Sequence, residues 1–165
     1  MYWKTLALCC ALVPALSAAQ EAPLKNWFND PFIQVRNNIP QCPLPLGPLQ
    51  TEQEMKEESH SRVERGTSCW LAGKCAEPNA YRYDAPIAKA VEDHFRSSDA
   101  FQQSSLWITV KRRFVWIEGC VDPAISAAAL EAAVKSIPDV ERVLVNIMPG
   151  TAGKPPYLVA RQTEQ

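Results

Sequence analysis

Hydrophobic and polar positions alternate most clearly in the second half of the chain. Residues 106–110 and 115–121 are two apolar runs of period two, separated by Lys111, Arg112 and Arg113. That pattern predicts a β-hairpin with a basic tip. Asp122-Pro123 follows and suits an N-cap and first helical position. Residues 124–136 then read as an alanine-rich helix with Ile125, Ala128, Ala129, Ala132 and Ile137 near one face, stopped by Pro138. A third strand is predicted over residues 140–148. Upstream, Ile87, Val91 and Phe95 recur every four residues over 84–95, with Asp84 as cap and Pro86 in the first turn, giving a helix with one core stripe.

Alternation also sorts the strand residues into faces. Leu106, Ile108, Val110, Val115, Ile117 and Val121 point toward the helices. Trp107, Thr109, Trp116, Glu118 and Cys120 point the other way. Gly119 leaves out a side chain on the helix-facing side, so a helix or neighbouring strand can approach there. Two tryptophans on one outer face call for a cover or a partner.

The run Val115-x-Ile117-x-Gly119-x-Val121, a polar cap, a helix, and then Pro138-Asp139-Val140-x-x-Val143-x-Val145-Asn146 resembles a BON domain of the osmotically inducible, transport-associated type. The resemblance covers roughly residues 84–148. It implies an α+β module of helix, two-strand hairpin, helix and strand: a three-stranded sheet with two helices on one face. It further implies a bacterial cell-envelope setting and binding of a phospholipid surface. The glycine that follows the helix in that family is Asp139 here.

The segments outside this module are of a different character. Residues 1–19 read as a secretory signal peptide, with Lys4 as the positive region, an apolar stretch over 6–16 and Ser17-Ala18-Ala19 for cleavage. The apolar stretch is shorter than the roughly 20 residues a membrane span needs. Cys9 and Cys10 lie too early, and behind the wrong residues, for lipid attachment. No later segment is long and apolar enough to span a bilayer, so an exported, periplasmic protein is expected. Residues 20–83 form a Pro- and Cys-containing extension. Within it, 20–49 look irregular, with Trp27, Phe28, Phe32 and Ile33 clustered around Asp30-Pro31. Prolines at 40, 43, 45 and 48 predict a stiff extended connector that lays Leu44 and Leu46 on the domain. Residues 51–65 read as a polar, solvated helix with a Thr51/Glu54 capping box, a Glu58–Arg62 pair and a stop at Gly66. The tail, 149–165, is expected to pack loosely.

Composition narrows the chemistry. The chain of 165 residues carries a net charge of −1, or −2 without Lys4, which lacks the basic excess of a nucleic-acid binder. Without the leader, four cysteines remain, and an even number in an exported chain predicts two disulfides. Three connectivities are open. The favoured one closes Cys69 to Cys75 around a short loop that presents Trp70, and leaves Cys42 for Cys120, drawing the extension over the outer face with Trp107 and Trp116. The five-residue gap between Cys69 and Cys75 fits neither a zinc knuckle nor a redox pair, and His60 and His94 lie at no ligand spacing, so neither a metal nor a cofactor is expected. No nucleophile–base pair or phosphate loop is visible, so a noncatalytic role is expected. Two functions remain. In one, Lys111, Arg112 and Arg113 meet an anionic phospholipid surface with Phe114 entering the interface. In the other, the chain is a protein–protein adaptor in an envelope assembly.

Overall fold

The computed structural model describes residues 22–160. The leader over 1–19 lies outside the described residues, as do the last five residues of the tail. Among the described residues the elements are β1 (Phe32–Asn37), α1 (Glu52–Leu71), a 3-10 turn (Ala80–Tyr83), α2 (Asp84–Ser97), β2 (Ser104–Lys111), β3 (Phe114–Val121), α3 (Ala127–Lys135) and β4 (Arg142–Pro149). They build an α+β fold with one mixed sheet in the order β1-β2-β3-β4. The first two pairings are antiparallel and β3–β4 is parallel. The helix–hairpin–helix–strand order from α2 to β4 is the one the periodicity predicts.

The sheet has four strands, not three. β1 comes from the stretch expected to be irregular and pairs with β2, placing Phe32 opposite Thr109 and Gln34 opposite Trp107. A bulge between Gln34 and Arg36 breaks its alternation, and a bulged, six-residue strand with three polar residues leaves little period-two signal. One core unites the inner face. Ile87, Val91 and Phe95 of α2 and Leu130 and Val134 of α3 pack on Leu106, Ile108, Val110, Val115 and Ile117, with Ile33 and Val35 at the margin. Burying an aliphatic side chain of this size stabilises by about 1.5–3 kcal/mol, so this layer holds the fold together.

Three helix ends differ from expectation. α1 begins at the Thr51/Glu54 capping box but runs through Gly66 to Leu71. Gly66 is buried inside the helix because Asn79 and Tyr81 pack where its side chain would be; a Cβ there would lie 2.7 Å from Asn79 Oδ1. α3 is capped by Ser126, whose Oγ accepts from the Ala129 N–H at 3.2 Å. Asp122 instead closes a turn of its own, accepting from the Ala124 N–H at 2.9 Å. Asp84 opens α2 without capping it; its carboxylate is turned toward the hairpin. Asp139 takes the left-handed conformation (φ 66°), so it fills the glycine's conformational role after α3.

Both disulfides form in the favoured arrangement, Cys42–Cys120 and Cys69–Cys75. The first pins a strap, residues 42–48, to the outer face. Pro45, fully buried, is the strap's anchor; of the expected Leu44/Leu46 pair, Leu46 is partly buried while Leu44 stays 45% exposed. The tail is not loose over its described part. The Leu46 N–H donates to Leu158 O at 2.7 Å and the Ala160 N–H to Leu44 O at 2.9 Å. Tyr157 is buried, its hydroxyl donating to Pro43 O at 2.8 Å. Strap and tail thus brace one another. No helix among the described residues is long and apolar enough to cross a membrane.

Candidate functional site

The hairpin tip is built on strain that a carboxylate relieves. Arg112 and Arg113 are both at positive φ (55° and 65°), as a two-residue hairpin loop requires. Asn-Gly is the usual solution, and a side chain such as arginine costs about 1–2 kcal/mol at each left-handed position. Asp84 offsets this by accepting the Arg112 and Arg113 backbone N–H groups at 2.7 Å each. Burial pushes the Asp84 carboxyl up to about 6, against the pull of those two bonds.

The three cations of the tip have different fates. Lys111 Nζ lies 2.5 Å from Glu58 Oε1 of α1. The Arg113 side chain is only 13% exposed, donates through Nε to Asp139 O at 2.8 Å and lies over the Tyr83 ring. These two side chains are engaged in holding α1 and the α3–β4 turn to the hairpin. Arg112 has no ion pair among the described residues, and its guanidinium sits 4.6 Å from the Phe114 ring centre. Arg142, exposed at the start of β4 and paired in register with Phe114, approaches the same ring at 5.8 Å and also has no ion pair among the described residues. Phe114 leans on Trp116 (ring centroids 6.1 Å), and both are half-buried. The patch at this end of the sheet is therefore Arg112, Phe114, Trp116 and Arg142, not the whole basic triplet. Arg142 lies outside the basic triplet; it is the first residue of β4, and only the parallel pairing of that strand with β3 brings it to Phe114.

Behind the tip lies a buried charged network that joins the extension to the module. Arg62 is held between the rings of Phe28 and Tyr81, at 4.1 and 3.8 Å. Its Nη1 donates to Asp30 Oδ2 at 3.0 Å and to Glu58 Oε1 at 2.9 Å, and its Nη2 pairs with Asp30 Oδ1. Burial works against the charge on Arg62, yet Asp30 and Glu58 hold its pKa above the ordinary value. Burial also opposes the charge on Glu58, and Lys111 and Arg62 outweigh it. The helix expected to be solvated thus sinks this face into the molecule. The Glu58–Arg62 spacing pointed to the pair; nothing local in sequence pointed to Asp30, 32 positions away.

On the outer face Trp107 is nine-tenths buried and Cys120 fully so. Gly119 lets β2 approach β3: with φ 142°, a Cβ there would fall 2.1 Å from Ser105 O. It is the neighbouring strand, not a helix, that uses the space. A small cavity of about 220 Å³ remains between strap and sheet, lined by Gly47, Pro48, Thr109, Lys111, Trp116 and Glu118. Burial raises the pKa of the Glu118 carboxyl, with Asn146 pulling it down, and burial followed by the Glu118 charge pushes the Tyr157 hydroxyl up to about 12. A wider cleft of about 480 Å³ runs beside it along Gln50, Glu54, Glu57, Glu58 and Lys111. Elsewhere, Val63 (71% exposed), Trp70 (48%) and Leu71 (73%) share one side of α1 at spacings of seven and eight residues.

The class defined by this geometry is a disulfide-strapped α+β module whose charged side chains mostly serve its own architecture. Comparison of the chain with family models, with curated proteins and with solved structures found no match.

Proposed function

We propose that the chain is an exported, periplasmic, noncatalytic envelope protein of BON-like construction that binds an anionic phospholipid surface. The observation that carries the reading is the patch of Arg112 and Arg142 around Phe114, with Trp116 beside it. Arginine and aromatic side chains together suit a headgroup boundary, where phosphates meet the first methylenes. Each basic residue near an anionic surface contributes about 1 kcal/mol, so two arginines give weak, salt-sensitive binding rather than a permanent anchor. Two disulfides agree with an oxidising compartment. A noncatalytic role is supported by the use of Asp84, Glu58 and Arg62 in structural bonds and of all four described cysteines in disulfides.

Co-sedimentation with phosphatidylglycerol-containing vesicles tests this. The oxidised chain is expected to pellet at low salt, to be released at high salt, and to lose binding when Arg112→Asn and Arg142→Gln are combined. Asparagine tolerates the left-handed turn, so the variant keeps its fold. Absence of binding, or equal binding by the variant, rejects the reading.

The exposed side of α1 favours a second reading, an adaptor in an envelope assembly. Val63, Trp70 and Leu71 are offered outward by a helix whose end the Cys69–Cys75 bond fixes, as a partner helix would use them. Recovery of one stoichiometric envelope protein by the chain, lost on Trp70→Ser with Leu71→Ser, would favour it over the lipid.

A further inference from the structure

The sheet ends in two edges, and the two are treated differently. β1 is short and bulged at Val35, and it carries Arg36, whose Nη2 donates to Ser98 O at 2.6 Å and whose guanidinium lies over Phe95. Those features guard an edge against further pairing. β4 has none of them. It spans eight residues without a bulge against β3, and between Arg142 and Pro149 it carries no charge. Among the described residues, no backbone or side-chain group outside the sheet bonds to it anywhere from Arg142 to Pro149. Val145 and Ile147 remain partly open to solvent there. An apolar, regular, uncovered edge is a template for another strand.

We propose that the outer edge of β4 pairs antiparallel with β4 of a second copy of this chain, joining two four-stranded sheets into one of eight strands. The occupant follows from the charge and residue pattern. With the two-fold axis at Val145, Val143 of one copy lies beside Ile147 of the other, and Leu144 beside Asn146. Helix-facing residues then stay with helix-facing residues. Arg142 falls opposite Met148 rather than opposite its own counterpart, so antiparallel self-pairing brings no like charges together; parallel self-pairing would. Joining β4 to the β1 edge of a second copy would meet the bulge and Arg36, and would leave further edges open to a growing filament. The self-paired arrangement closes as a two-fold dimer.

Sedimentation equilibrium on the purified, oxidised chain over a range of concentrations reads the assembly state. The expected result is a reversible monomer–dimer equilibrium with nothing larger. Leu144→Lys, which places a charge on the outer face of each edge near its counterpart, is expected to stay monomeric with an unchanged circular dichroism spectrum. Hydrogen exchange on the native chain gives an answer that needs no variant: outward amides within 142–149 should gain protection as concentration rises, while β1 does not change. A chain that stays monomeric throughout, a series of larger assemblies, or a dimer whose β4 amides exchange at the same rate at every concentration would overturn the proposal.

Discussion

Asp84 is the residue on which the hairpin tip depends. It is buried, it holds two backbone donors of a strained turn, and its carboxyl titrates near 6 in the folded chain instead of near 3.8. A folded pKa raised above the unfolded one means that the protonated form fits the fold better. The stability this group contributes is complete below pH 3.8 and is lost as pH rises through about 6. Denaturant unfolding of the wild type and of Asp84→Asn at several pH values checks this. The wild type is expected to lose stability relative to the variant between pH 4 and pH 7, by on the order of 3 kcal/mol; a constant difference would refute it. Glu58 acts in the opposite sense, since its lowered pKa contributes stability above the unfolded value that is lost as pH falls. Gly119 is a second position with no substitute. Gly119→Ala combines a backbone clash with an unfavourable φ and is expected to cost about 3–5 kcal/mol, read as a large fall in Tm. A Tm within a few degrees of wild type would mean that β2 and β3 can separate at no great cost.

At the scale of elements, the clearest periodicities came through. α2, β2, β3 and β4 are written in runs of period four or two that face a single core, and both the hairpin and its basic tip are legible in them; α3 forms as expected but turns Leu130 and Val134 to the core, leaving the expected Ala128, Ala129 and Ala132 exposed, because the larger side chains bury more apolar surface. β1 could not, because its bulge and polar positions erase the alternation and its identity comes from hydrogen bonds to β2, more than sixty residues away. Gly66 misled for a related reason. Glycine stops a helix when it can take a left-handed turn, but here it is retained inside α1 by the packing of Asn79 and Tyr81, which local sequence does not display. The candidate site divides along the same line: Arg112 and Phe114 were legible as part of a tip, whereas the withdrawal of Lys111 and Arg113 and the arrival of Arg142 depend on partners brought in from α1, the α3–β4 turn and β4. The two disulfides also differ as elements. Cys42 and Cys120 are 78 residues apart, Cys69 and Cys75 only six. Loop-closure entropy makes the first worth about 4 kcal/mol and the second about 2. Thermal unfolding of Cys42→Ser/Cys120→Ala is therefore expected to show the larger loss, and the reverse order would mean that the strap is held by its other contacts.

For the whole molecule, extension and module form one body. Strap and tail cover much of the sheet's outer face, the Arg62 network ties α1 and the Asp30 loop to the hairpin, and two surface groups among the described residues stand out: Phe114–Trp116 with two arginines, and Val63–Trp70–Leu71 on α1. The lipid contact proposed above falls on the first and the alternative protein contact on the second, and one tryptophan marks each. Fluorescence quenching by anionic vesicles with brominated acyl chains, measured on Trp70→Phe and Trp116→Phe, separates them directly. Binding through the arginine-flanked patch is expected to leave quenching intact in Trp70→Phe and to abolish it in Trp116→Phe; quenching that survives in Trp116→Phe and disappears in Trp70→Phe, or none in the unaltered chain, would contradict it.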